Sequence, residues 1–365
     1  MSASTSKWRL LAELGQSVWY DNVARPALDS GLLARLIEED HVSGGTSNPS
    51  IFAKAVSDSD LYDDDIAAAG SDETPQALFE RVAVKDIQDA CDLFAPVWER
   101  TGGQDGYVSI EEEAGIAFDA EVAVRRGHEL RALVDRPNVM IKVPGTEAGV
   151  EAFGRLTREG VSVNVTLLFS RERYRAVAEA YVSAIEARVA AGEDVSAIAS
   201  VASFFVSRID AKADAALPGD SPLRGKTAIA NARLAYADVF VPTFTSDRWR
   251  ASASAGANLQ RPLWASTGVK DPNYRKTLYI DELVGAGTVT TVPDATLDAF
   301  RGDGLALPTL HGAADDARRI LDDVAAAGVD LDQITADLER DGVQQFGDAY
   351  DEMLEAIDAQ RDKGA

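Results

Sequence analysis

The chain has a single cysteine, Cys91, in 365 residues, which excludes an intrachain disulfide. Its three histidines lie far apart in sequence and leave a zinc cluster few candidate ligands. Metal chemistry is therefore not expected, although composition leaves an all-oxygen site open. Basic residues are scarce as well: 36 Lys and Arg stand against 60 Asp and Glu, for a net charge of −24. That balance argues against DNA, RNA or an anionic membrane as the main partner and suits a well-solvated acidic exterior. No segment offers about 18 uninterrupted apolar residues, and positions 1–6, followed by Lys7-Trp8-Arg9, lack an apolar core of signal-peptide length. A soluble, cytoplasmic protein is expected. No internal repeat, low-complexity linker or proline-rich hinge divides the chain, so one domain over 1–365 is expected despite a length that suits two.

What is present is an alternation. Eight runs read as strands from their branched and aromatic content: 18–23, 41–48, 106–111, 138–146, 161–169, 198–205, 261–266 and 287–292. Helical spacing fills most gaps, with a short amphipathic helix over 7–15, Asp29 as the expected N-cap before Leu32 and Leu33, and two or three helices over 51–104. Further helices are expected over 117–134, 146–158, 171–191 and most of 224–256, and an extension over 312–361 reads as two or three more. Val206-Ser207-Arg208-Ile209-Asp210 reads as a continuation of the sixth strand, and Gly44-Gly45 as a turn signal without a dinucleotide-binding context. Eight strands separated by helices are the pattern of parallel β/α units, and closing them leaves no exposed edge. The fold class expected is α/β: a single (β/α)8 TIM barrel with additional helices at the N-terminus, after the second strand and at the C-terminus.

Lys142 is the residue that does not fit a plain strand. Val139, Ile141 and Val143 share one parity and Met140 and Lys142 the other. An ammonium held in a poorly solvated site is driven towards the neutral, nucleophilic amine. Its strand alone leaves two readings open, a nucleophile or a lysine that is solvated or paired with an acid. Other strands also set polar residues on the side expected to face the barrel interior. Asp21 shares parity with Trp19, Asn48 with Thr46, Ser109 with Glu111, Asn164 with Thr166, and Ser266 with Trp264, while Val161, Val163, Val165 and Leu167 fall on the opposite side of their strand. Asp21 and Glu111 are either counter-ions of the lysine or a pair dividing acid and base work. Ser203 followed by Arg208, and Ser266 followed by Lys270, place hydroxyls near cations after late strands, where barrels often bind phosphate.

The strings Val18-Trp19-Tyr20-Asp21, Thr46-Ser47-Asn48-Pro49, Val108-Ser109-Ile110-Glu111, Ile141-Lys142-Val143-Pro144-Gly145-Thr146, Asn164-Val165-Thr166-Leu167 and Ser203-Phe204-Phe205-Val206-Ser207-Arg208-Ile209-Asp210 resemble, in order and identity, the transaldolase family. The resemblance spans most of residues 10–300. It implies a barrel that transfers a dihydroxyacetone unit from sedoheptulose 7-phosphate or fructose 6-phosphate to an aldose phosphate in the pentose phosphate pathway, without metal or cofactor. By the same resemblance Lys142 forms the Schiff base, Asp21 exchanges the C4 hydroxyl proton, and Glu111 and Thr166 position a proton-shuttling water. Asn48, Asn164 and Ser203 would hold the dihydroxyacetone part, and Arg208 and Ser266 the phosphate. Shorter family members carry an arginine two residues beyond the matching serine. Gly268 stands there in this chain, so Lys270 is the expected substitute, without an arginine's bidentate fork. The rival readings are a Schiff-base aldolase and a non-catalytic sugar-phosphate-binding barrel. The protein is expected to be a monomer or homodimer, and the pattern of the C-terminal helices fits covering the barrel mouth, packing beneath it or meeting a second copy.

Overall fold

The computed structural model describes residues 6–70 and 72–364. At its centre eight parallel strands close into a barrel in chain order. They are β1 Gln16–Tyr20, β2 Val42–Thr46, β3 Val108–Glu111, β4 Val139–Pro144, β5 Val163–Leu168, β6 Ser200–Phe205, β7 Gln260–Ala265 and β8 Thr288–Val292. β8 pairs with β1 over five consecutive residues, from Gln16 opposite Thr288 to Tyr20 opposite Val292, and leaves no free edge. The additional helices lie where the sequence pattern puts them, with Lys7–Glu13 before β1, three helices between β2 and β3, and Ala314–Ala326 and Leu331–Gly364 after the barrel. Among the described residues no helix is long and apolar enough to cross a membrane.

The lower barrel is packed solid. Trp19, Met140, Val201, Leu263 and Val289 fill it from β1, β4, β6, β7 and β8, and Asp105 accepts a 2.8 Å hydrogen bond from the Trp19 indole Nε1 beneath them. Gly44 and Gly45 are not a turn but the middle of β2. A Cβ on Gly44 would lie 2.6 Å from the Trp19 indole, and one on Gly45 2.5 Å from Val23. The strand is bare there because its neighbours occupy the space.

Four local expectations fail, each for a physical reason. Asp29 closes the short helix Arg25–Asp29, and the next helix starts from Gly31 in a left-handed conformation. In β7 the parity is reversed: Leu263 and Ala265 face the interior, and Trp264 packs outward against Phe204. Leu167 leaves its valine neighbours and turns to the barrel mouth, because its φ of +59° breaks the alternation at the end of β5. Residues 207–210 are helical, opening the helix Ser207–Ala216 instead of prolonging β6.

The C-terminal helix Leu331–Gly364 takes the first of the placements its pattern allows, covering the barrel mouth, where Gly342, Gln345, Phe346 and Ala349 face inward. Ion pairs Arg173–Glu339 at 3.2 Å and Lys212–Asp341 at 2.6 Å hold one part of it to the barrel's helices. Further along, Met353 and Ile357 are buried with Phe52, Val56 and Tyr62 in a second apolar cluster formed by the excursion after β2.

Candidate active site

Beneath that helix is a cavity of about 530 Å³ at the C-terminal ends of the strands. Asp21, Asn48, Glu111, Lys142, Thr166, Ser203, Arg208 and Ser266 all line it, brought together from seven strand ends. A parallel barrel sends every second side chain inward, so residues separated by more than two hundred positions meet at one end.

Lys142 lies across from Glu111 in the β3–β4 register and from Asn164 in the β4–β5 register. Its Nζ is 3.2 Å from Glu111 Oε2 and 3.4 Å from the Ser47 carbonyl, and the two side chains are only 10% and 7% exposed. Burial pushes the Glu111 carboxyl above the usual range, partly opposed by the Lys142 charge. Glu111 is thus the hydrogen-bonding partner that Lys142 meets on the cavity floor.

Asp21 follows β1 directly. Its Oδ1 accepts a 2.6 Å hydrogen bond from Thr46 Oγ1, and its backbone N–H donates to the Val292 carbonyl, fixing it between β2 and β8. Asn48 caps the helix Pro49–Asp58, with Oδ1 accepting from the Ile51 N–H at 3.1 Å. Asn164 is fully buried in the layer below, where Nδ2 donates to Ser109 Oγ at 3.0 Å and Oδ1 accepts from Ser203 Oγ at 2.7 Å. That chain runs beside Lys142 and fixes the Ser203 hydroxyl as a donor to the amide. Thr166 lines the wall one pleat above Asn164.

Ser266 and Arg208 line the same cavity. Ser266 has φ +56°, and this left-handed turn brings it to the cavity although Ala265 before it also faces in. Its Oγ is 2.9 Å from Ser207 Oγ. Arg208 sits in the first turn of its helix, where the helix dipole disfavours a cation unless an anion is bound nearby. Burial lowers the guanidinium's pKa, an effect that the Glu111 charge opposes. Lys270 is exposed and does not line the cavity. Ser266 and Leu167 both carry positive φ at strand ends facing the cavity, a local strain of about 1–3 kcal/mol each of the kind that concentrates at functional sites.

Sequence reading missed Lys54, Leu167, Gln345 and Phe346, all of which line the cavity. Lys54 stands six residues after Asn48 on the helix that Asn48 caps, so its place could have been read from that helix's start. Gln345 and Phe346 belong to a helix whose docking side no local pattern specified. Among the described residues no group of three or more His, Cys, Asp or Glu is placed to hold a metal ion.

A model of the transaldolase/fructose-6-phosphate aldolase family matches residues 18–357. The chain is 46% identical over 372 residues to a transaldolase of Saccharopolyspora erythraea, covering 99% of both chains. It is 46% identical over 353 residues to a transaldolase of Thiobacillus denitrificans, covering 95% of this chain and 98% of that one. A transaldolase of Mycobacterium tuberculosis is 44% identical over 374 residues, covering 100% of each.

Proposed function

The chain belongs to the transaldolase/fructose-6-phosphate aldolase family and is an enzyme that moves a dihydroxyacetone unit between sugar phosphates, and we propose that Lys142 is its nucleophile. The donor is sedoheptulose 7-phosphate or fructose 6-phosphate, and the acceptor an aldose phosphate such as glyceraldehyde 3-phosphate or erythrose 4-phosphate. The observation that carries this reading is the 3.2 Å contact between Lys142 and Glu111 on the cavity floor, with Asp21 in the same cavity.

The neutral amine adds to the ketose C2 carbonyl, and the carbinolamine loses water to give an iminium. Glu111 takes the lysine's proton, and with Thr166 it positions the water that carries protons through these two steps. Asp21 then removes the C4 hydroxyl proton. The C3–C4 bond breaks, its electron pair passes into the iminium to give an enamine, and the C4 fragment departs as an aldehyde. Addition of the acceptor aldehyde to C3 reverses these events, with Asp21 returning its proton to the new alkoxide, and hydrolysis frees the product and Lys142. The imine supplies the electron sink, so this scheme draws on no metal or cofactor.

Asn48, Asn164 and Ser203 hold the three-carbon unit, the latter two through the hydrogen-bonded chain beside Lys142. Holding the enamine in place until an acceptor arrives is what distinguishes a transferase from an aldolase. Arg208 and Ser266 receive the phosphate. With Lys270 outside the cavity, Lys54 is the cation within it that supplies further positive charge. The whole chain, 1–365, acts as one domain with its C-terminal helices, as a cytoplasmic monomer or homodimer. Turnover of fructose 6-phosphate with and without erythrose 4-phosphate tests the reading. Acceptor-dependent product formation supports transfer, whereas equal release of glyceraldehyde 3-phosphate without acceptor makes the protein an aldolase.

A further inference from the structure

Most arginines in this acidic chain are tied to carboxylates. Arg126 meets Glu80, Glu113 and Glu129, and Arg25 meets Asp65 and Asp86. Arg208 is different. Among the described residues it makes no ion pair, its guanidinium lies 5.3 Å from the Phe205 ring centroid, and its hydrogen-bonding partner is an uncharged amide, Gln345 Oε1, which accepts from Nη1 at 3.1 Å.

An uncharged acceptor suits a guanidinium that must bind an anion. A carboxylate at the same place would cancel the charge a phosphate needs, while no partner would leave a long side chain free among its rotamers and add an ordering cost to every binding event. An amide restrains one nitrogen, leaves the charge intact and keeps the remaining N–H donors for the ligand.

The helix carrying Gln345 is fixed where this requires. Glu339 and Asp341 anchor it through Arg173 and Lys212 just before Gln345, and Met353 and Ile357 bury its later turns. Gly342 lets it come down onto the strand ends, since a Cβ there would meet Leu167 Cδ2 at 3.1 Å. Phe346, the residue after Gln345, faces the same cavity.

We propose that Gln345 of the C-terminal helix is a positioning residue that orients Arg208 for the substrate phosphate, so that this helix sets the enzyme's preference for phosphorylated over unphosphorylated sugars. The inference rests on the reading of Arg208 as a phosphate ligand. Its consequence is that preference for the phosphate depends on a segment outside the barrel, which contributes no reacting group.

The test compares kcat/KM for fructose 6-phosphate and for fructose, with one acceptor, in the wild type and in Gln345→Met, Gln345→Glu and Arg208→Ala. Gln345 is exposed at the rim, so these changes leave the core untouched. Methionine keeps the length and removes the acceptor, and it is expected to lower the phosphate preference about tenfold, through KM. Glutamate keeps the acceptor but cancels the charge and should lower the preference on the order of a hundredfold. A merely structural helix would lower both kcat/KM values together and leave their ratio fixed, which overturns the proposal. If Arg208→Ala collapses the ratio while both Gln345 variants preserve it, positioning fails and the phosphate reading of Arg208 stands. If Arg208→Ala also preserves the ratio, both fall.

Discussion

Three successive glutamates leave β3 in three directions. Glu111 enters the cavity, Glu113 pairs with Arg126, and Glu112 turns into the packing between the barrel and its outer helices, close to Gly127. Glu112 is 2% exposed, and neither of its carboxyl oxygens has a hydrogen-bonding partner among the described residues. Burial first, then the neighbouring Glu113 and Glu111 charges, push its pKa from the ordinary 4.5 up to about 9. Glu112 is therefore a neutral acid in the folded protein at pH 7 and a carboxylate in the unfolded chain. The folded state holds the proton more tightly, so this group's contribution to stability is complete below pH 4.5 and is lost progressively as pH rises towards 9. At pH 7, about 2.5 pH units above the unfolded value and at about 1.4 kcal/mol for each, the loss is roughly 3.5 kcal/mol. A glutamine side chain has the same shape and no ionisation, so Glu112→Gln should match the wild type near pH 4.5 and exceed it by about that amount at pH 7. In a melting experiment the gain corresponds to an increase on the order of 5 °C. Paired thermal or urea denaturation from pH 5 to pH 8 measures it. Parallel stability profiles for the two proteins would refute the reasoning, because they would mean that Glu112 ionises as easily folded as unfolded.

Two other substitutions probe separate parts of the account. Asp21→Asn keeps the hydrogen-bonding geometry but loses the base, so turnover should fall about 10²–10⁴-fold while borohydride still traps a sugar on Lys142; loss of trapping as well would mean that Asp21 acts before bond cleavage. Gly44→Ala sets a methyl 2.6 Å from the Trp19 indole and should destabilise the barrel by about 1–3 kcal/mol in urea titration, an unchanged midpoint showing that the floor can yield.

The strands were legible because a barrel strand carries its instructions locally. Val163-Asn164-Val165-Thr166 alternates between an apolar outer face and a polar inner one, and that alternation alone directs Asn164 and Thr166 inward. Lys142 stood out for the same reason, as a charge on the inward parity of β4. Alternation misled where the backbone departs from it. The positive φ at Leu167 and Ser266 re-aims those side chains, and no neighbouring residue type announces either turn. β7 reversed because its inner face is apolar at Leu263 and Ala265, next to the packed floor, whereas Trp264 finds an aromatic partner outside in Phe204. The C-terminal helix was legible as a helix and not as a cover. Its residues meet the mouth through ion pairs to Arg173 and Lys212, more than a hundred positions away, and such pairings have no local signature. Lys270 illustrates the converse: a cation close in sequence to Ser266 lies on an exposed loop, while Lys54, distant in sequence, lines the cavity.

The central claim is that Lys142 forms an imine with the donor ketose, and borohydride reduction in the presence of fructose 6-phosphate tests it most directly, read by intact mass and peptide mapping. A reduced adduct of the dihydroxyacetone unit confined to the peptide bearing Lys142, and missing in Lys142→Ala, is the predicted result. An unmodified Lys142 in active, folded protein, or an adduct of equal yield on another lysine, would contradict it.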